Sequence, residues 1–170
     1  MRRLLDMVYT AAAYMAALFL IGTLAMVVLG IFGRVFHFQV RGTDAYAGYF
    51  MAGCGFLALA HTLARGEHIR VSLVLEHIGD GARHVLECWS LGAALVLSTA
   101  FAYFSVRLAW QSYTFHDIST GNDATPLWIP QIAMAAGTVV FAIAFLDQFV
   151  QELLGTRRVR KPIDELAHLE

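Results

Sequence analysis

Charge is what this sequence has least of. Of its 170 residues only 15% are charged and 58% are hydrophobic, where a soluble domain has roughly 25% and 45–50%. The shortage is concentrated, because four long runs contain no Asp, Glu, Lys or Arg at all. That clustering is a membrane signature. A net charge of −1 offers no basic field for nucleic acid. Cysteine is sparse as well: Cys54 and Cys88 form no CxxC or Cys/His zinc spacing, and they lie at different depths, so no disulfide is expected.

These absences exclude chemistry. Ion-coupled carriers hold substrate and ions near the bilayer midplane with ionisable side chains or broken helices. None of the four runs has an interior acid, Lys, Arg or central proline. A small multidrug exporter needs a carboxylate in its first span, and Met7–Gly33 has none. A four-helix carrier acting alone is therefore not expected. A membrane cytochrome b, the alternative redox reading, needs paired histidines on facing helices, yet only His61 lies inside a run. No nucleophile-and-base set stands out. The chain is expected to be no enzyme and to bind no cofactor or metal. A membrane assembly factor is the third reading.

What is present is four spans. The runs predict membrane helices at about 7–33, 45–64, 88–106 and 129–147, the last starting near Pro130, since proline suits a first helical turn. Backbone groups in lipid must be satisfied within each segment. The fold class expected is all-α integral membrane, a single membrane domain over 1–170. The first run is far longer than the roughly 7–15 residue core of a signal peptide.

Orientation follows from Lys and Arg. With the N-terminus inside, Arg2, Arg3, Arg65, Arg70, Arg83, Arg157, Arg158, Arg160 and Lys161 face the cytoplasm, and only Arg34, Arg41 and Arg107 lie opposite. This bias places both termini in the cytoplasm. Trp89, Trp110 and Trp128 fall at the interfaces, as an aromatic belt does.

Between spans two and three, Val71, Val74, Leu75 and Ile78 recur at helical spacing. They predict a short cytoplasmic amphipathic helix within 66–79, lying on the membrane, on a partner or on its own bundle. The outer loop from Arg107 to Ile129 is rich in aromatic and turn residues, and the tail 155–170 is cytoplasmic. Small residues share helix faces: Gly48, Ala52 and Gly55 on span two, Ala133 and Gly137 on span four. Smooth faces let helices approach closely in lipid, either within the chain or against another subunit. Arg34 and Asp44 flank the first outer loop and are placed to pair or to touch a partner. Arg65 and His68 begin the cytoplasmic segment, where lipid phosphates are at hand.

The stretch Ala64-Arg65-Gly66-Glu67-His68-Ile69-Arg70-Val71, together with Thr125-Pro126-Leu127-Trp128-Ile129-Pro130 and Ala136-Gly137 at the start of span four, resembles the small permease (Q-type, DctQ-like) subunit of TRAP transporters. These are the tripartite ATP-independent periplasmic transporters of bacteria and archaea. The family often has tryptophan before an acid at the start of span two, where this chain has Thr43-Asp44, and an acid where it has Ser72. The resemblance implies a non-catalytic inner-membrane subunit that scaffolds a large permease. It further implies transient contact with a periplasmic solute-binding protein and uptake of an organic acid driven by an ion gradient.

Overall fold

The computed structural model describes residues 2–38, 40–65, 80–121 and 123–154. The expected amphipathic segment 66–79 and the tail 155–170 lie outside them. Four helices make up the described chain: α1 Arg2–Val35, α2 Thr43–Arg65, α3 Asp80–Thr114 and α4 Trp128–Leu153. No peptide bond among the described residues is cis. Extended structure there is limited to one antiparallel bridge, Ile118 to Pro126.

Three helices carry stretches long and apolar enough to cross a membrane: Leu5–Val35, Val85–Thr114 and Trp128–Leu153. Helix α2 is diluted by Tyr46, Gly48, Tyr49, Gly53, Gly55, His61 and Thr62. Its 23 residues still reach about 35 Å at about 1.5 Å each. Helix α3 runs well past the expected 88–106 at both ends. It stops because His116 takes a left-handed conformation (φ 57°) while the Asp117 amide donates to the Ser112 carbonyl at 3.0 Å, a Schellman-type closure. Pro130 sits in the first turn of α4, where its missing N–H leaves no bond broken.

The helices pack in the order α1, α2, α4, α3, with α1 barely touching α4. Like α4, helix α2 therefore lies inside the row. It runs antiparallel to α1, as shown by His61 beside Tyr9 and Phe50 against Phe19. It runs parallel to α4, from Tyr46 beside Thr125 to Leu63 beside Gln148. Each helix buries one stripe. On α1 it is Tyr9, Ala12 and Ala16; on α2 Leu57, Ala60 and Leu63; on α3 Leu91, Ser98, Ala102, Ser105 and Ser112. Those intervals of three, four and seven residues keep one helix face inward. The Ser98 hydroxyl donates to the Leu95 carbonyl at 3.1 Å, so the buried serine needs no partner from another helix.

The tightest approach is α4 on α2. A Cβ on Gly137 would stand 2.6 Å from the carbonyl carbon and oxygen of Phe56 and 2.9 Å from the Leu57 nitrogen. These are backbone atoms and cannot swing aside. Beside this point Thr138 is fully buried, its hydroxyl donating to the Ala135 carbonyl at 3.0 Å. Nearer the N-terminus of α1, Tyr9, Ala60, Leu63 and Ala144 form the core, flanked by Leu5, Val140, Phe141 and Phe145.

Gly137→Ala is expected to destabilise the chain by about 1–3 kcal/mol, the usual cost of overpacking. The same change at Gly48, where a Cβ meets nothing within 4 Å, should be neutral or slightly stabilising. Thermal unfolding of the two variants in one detergent makes the comparison, and equal midpoints would contradict the close-approach role of Gly137.

Candidate functional site

The two loops at one end of the helices form an ordered layer. Residues 117–127 fold back on themselves: the Ser119 amide donates to the Thr125 carbonyl at 2.8 Å and the Leu127 amide to the Asp117 carbonyl at 2.9 Å. Asp123 ties this loop together and to α2. Its carboxylate accepts from the Ser119 hydroxyl at 2.8 Å and from the Tyr49 hydroxyl at 3.2 Å, and the Thr125 and Tyr46 hydroxyls lie 2.9 Å apart, within hydrogen-bond distance. The first loop closes against the same residue. Gly42 has φ +81°, and a Cβ there would stand 2.7 Å from that of Asp123. Only glycine combines that backbone angle with that clearance. Hydrogen bonding by the Thr125 hydroxyl, then by Ser119 and Tyr49, holds the Asp123 carboxyl below the usual carboxylate range.

An open cavity of about 830 Å³ lies beside this layer, between the end of α1 and the start of α2. Arg34, His37, Arg41 and Asp44 line it together with Leu29 and Phe38. Arg34 occupies the last turn of α1 and Asp44 the first turn of α2, where each complements the helix dipole. The two share the cavity, yet among the described residues neither makes an ion pair. Trp128 begins α4 and meets Tyr113 edge-on at 5.6 Å; Tyr113 in turn contacts Trp110 at 6.3 Å. This is an aromatic cluster at the loop end of α3 and α4.

The small residues divide into two groups. Ala133 and Gly137 lie in the α2–α4 contact, where Gly53 joins them: a Cβ on Gly53 would reach Phe19 and, at 3.3 Å, the Cβ of Ala133. Gly48, Ala52 and Gly55 face away from every other helix. All three are exposed, Met51 among them is 69% exposed, and a Cβ on either glycine meets nothing within 4 Å. Sequence reasoning missed Gly53, although it lies four residues before Leu57 on the buried stripe. It also missed the bonds of Tyr49 to Asp123 and of Tyr46 to Thr125, since nothing in a linear sequence joins positions so far apart.

At the other end, Arg65 closes α2, and His68 lies outside the described residues. His61 places Nδ1 3.2 Å from the Tyr9 carbonyl, bridging α2 to α1. Among the described residues no three His, Cys, Asp or Glu side chains gather as a metal would require. Neither cysteine is in a disulfide.

Long apolar helices, with large aliphatic and aromatic side chains exposed along them, define an all-helical membrane protein. Residues 23–155 match the DctQ component of the tripartite ATP-independent periplasmic transporters. The chain belongs to that family and is the small, non-catalytic membrane subunit of a TRAP transporter. No match is found among curated proteins.

The hydrogen bonds to Asp123 favour its ionised form, so its folded-state pKa lies below the unfolded value. Their contribution is complete above the ordinary carboxylate range and is lost as pH falls through the lowered folded value. Exchange protection of the Ser119 and Leu127 amides is expected to hold at pH 5 and to fall only in stronger acid. In Asp123→Asn it should be several-fold weaker even at neutral pH. Equal protection in the variant would remove Asp123 as the tie.

Proposed function

We propose that this subunit crosses a bacterial inner membrane four times, with both termini cytoplasmic and the loop layer facing the periplasm, and that it braces the large permease of its transporter. In this reading α2 is a true span despite its diluted hydropathy. From Asp44 to Arg65 it covers about 31 Å of axis, close to the roughly 30 Å hydrocarbon thickness, and α1 and α4 cover part of its sides. The permease moves an organic acid, delivered by the periplasmic binding protein, inward on an ion gradient. This chain contributes surface rather than a solute site.

The observation that carries the reading is the empty face of Gly48, Ala52 and Gly55. Small residues on a lipid-exposed face give lipid nothing in particular, but they let a neighbouring helix come close enough for dispersion and weak polar contacts to act. Ala133 and Gly137 already serve that purpose inside the chain. The outward face of α2 is therefore assigned to a permease helix.

The test is co-purification from native membranes in mild detergent. The wild-type chain is expected to bring down a much larger hydrophobic permease in stoichiometric amount. Gly48→Leu or Ala52→Leu should lower its recovery about fivefold, about 1 kcal/mol of association free energy. Unchanged recovery in both variants would move the contact elsewhere, and recovery of the chain alone would end the bracing role.

A further inference from the structure

We propose that the cavity between the end of α1 and the start of α2 is a binding site for a phosphate-bearing anion, and that its walls favour a glycerophospholipid headgroup over free phosphate. Arg34 and Arg41 line one cavity of about 830 Å³ with Asp44 as the only acid among its lining residues, which leaves a net positive charge. Two arginines that share one concave surface favour an anion there. Among the described residues neither has an ion-pair partner, and the one acid of the lining does not balance two cations.

The geometry of the ligand follows from the chemistry of the donors. Guanidinium groups present planar forks that match the oxygens of phosphate. His37 Nδ1 lies 3.2 Å from the Val35 carbonyl and spends a ring N–H there, so the forks of Arg34 and Arg41 are the donors on which the site depends. Leu29 and Phe38 supply apolar wall beside these donors. A free inorganic ion makes no use of such a wall, whereas the glycerol and upper acyl carbons of a phospholipid do.

Depth agrees with the assignment. Asp6 and Arg34 bound the uncharged stretch of α1, and 28 rises of about 1.5 Å separate them by about 42 Å. A bilayer measures roughly 40–45 Å including its headgroup layers. Both charges therefore fall at headgroup level, and the cavity opens in the layer where lipid phosphates lie. The inference requires only that α1 spans. It depends neither on which side the loops face nor on the permease contact.

The experiment uses the full-length chain, stripped of lipid in detergent and followed by native mass spectrometry as short-chain phosphatidylglycerol is titrated in. The wild type is expected to take up one tightly held lipid, with affinity about tenfold higher than Arg34→Gln/Arg41→Gln. Short-chain diacylglycerol, which lacks phosphate, should show no such adduct. Inorganic phosphate that displaces the lipid only at large excess would support the headgroup assignment. Phosphate that competes at equal concentration would assign the site to a free anion instead. Exchange protection at Leu127 reports whether the double variant keeps the loop layer. If it does not, Arg41→Lys, which retains charge but loses the fork, should bind two- to fivefold more weakly. Equal lipid uptake by wild type and a folded charge variant, or equal uptake of diacylglycerol, would overturn the proposal.

Discussion

The close approach of α4 to α2 at Gly137 sets the rest of the arrangement. In lipid there is no hydrophobic driving force between helices, so association depends on how many atoms meet and how closely. With Gly137 against the Phe56–Leu57 backbone, α4 is fixed parallel to α2 and its register is set. Tyr46 and Tyr49 then arrive beneath the loop that α4 carries at its start, and Gln148 arrives beside Leu63, where its amide donates to the carbonyl at 2.7 Å. A single absent side chain thus positions hydrogen bonds at both ends of two helices.

That arrangement divides labour around α2. One side of the helix holds α1 through Phe19 and Phe50, whose rings meet at 5.5 Å. Another holds α4, and the side with Gly48, Ala52 and Gly55 is left open. A subunit whose inner helix α2 keeps a smooth side uncovered suits a chain that works beside a larger partner. The loop layer, tied by Asp123, gives the same end of the molecule a defined shape instead of a solvated connector, and it forms one rim of the cavity that holds Arg34 and Arg41.

Much of this was legible in the residue order. Uncharged runs mark membrane helices because burying a charge in hydrocarbon is costly; α1 ends at Val35, just where charge resumes, whereas α4 continues past the expected 147 to Leu153 and carries Asp147 and Glu152. The bounds of α2 are close to the expected 45–64, although its tyrosines, glycines and His61 lower its hydropathy; Gly53 is covered by Phe19 and Ala133, while Gly48 and Gly55 are exposed. The small residues were visible too, but not their division of roles. Periodicity places Gly48, Ala52 and Gly55 on one face and Ala133 and Gly137 on another, without saying what each face meets.

What the sequence determined alone is therefore local and additive: which segments are apolar enough for lipid, where helices begin at Pro130, and the family to which residues 23–155 belong. What only the tertiary structure decided is relational. The order of packing, the outward aim of the Gly48 face, the hold of Tyr46 and Tyr49 on the Asp123 loop and the shared cavity of Arg34 and Arg41 all join residues distant in the chain. Hydropathy is a property of each residue and sums along the chain, whereas a close contact is a property of a pair and exists only once the helices have chosen their neighbours.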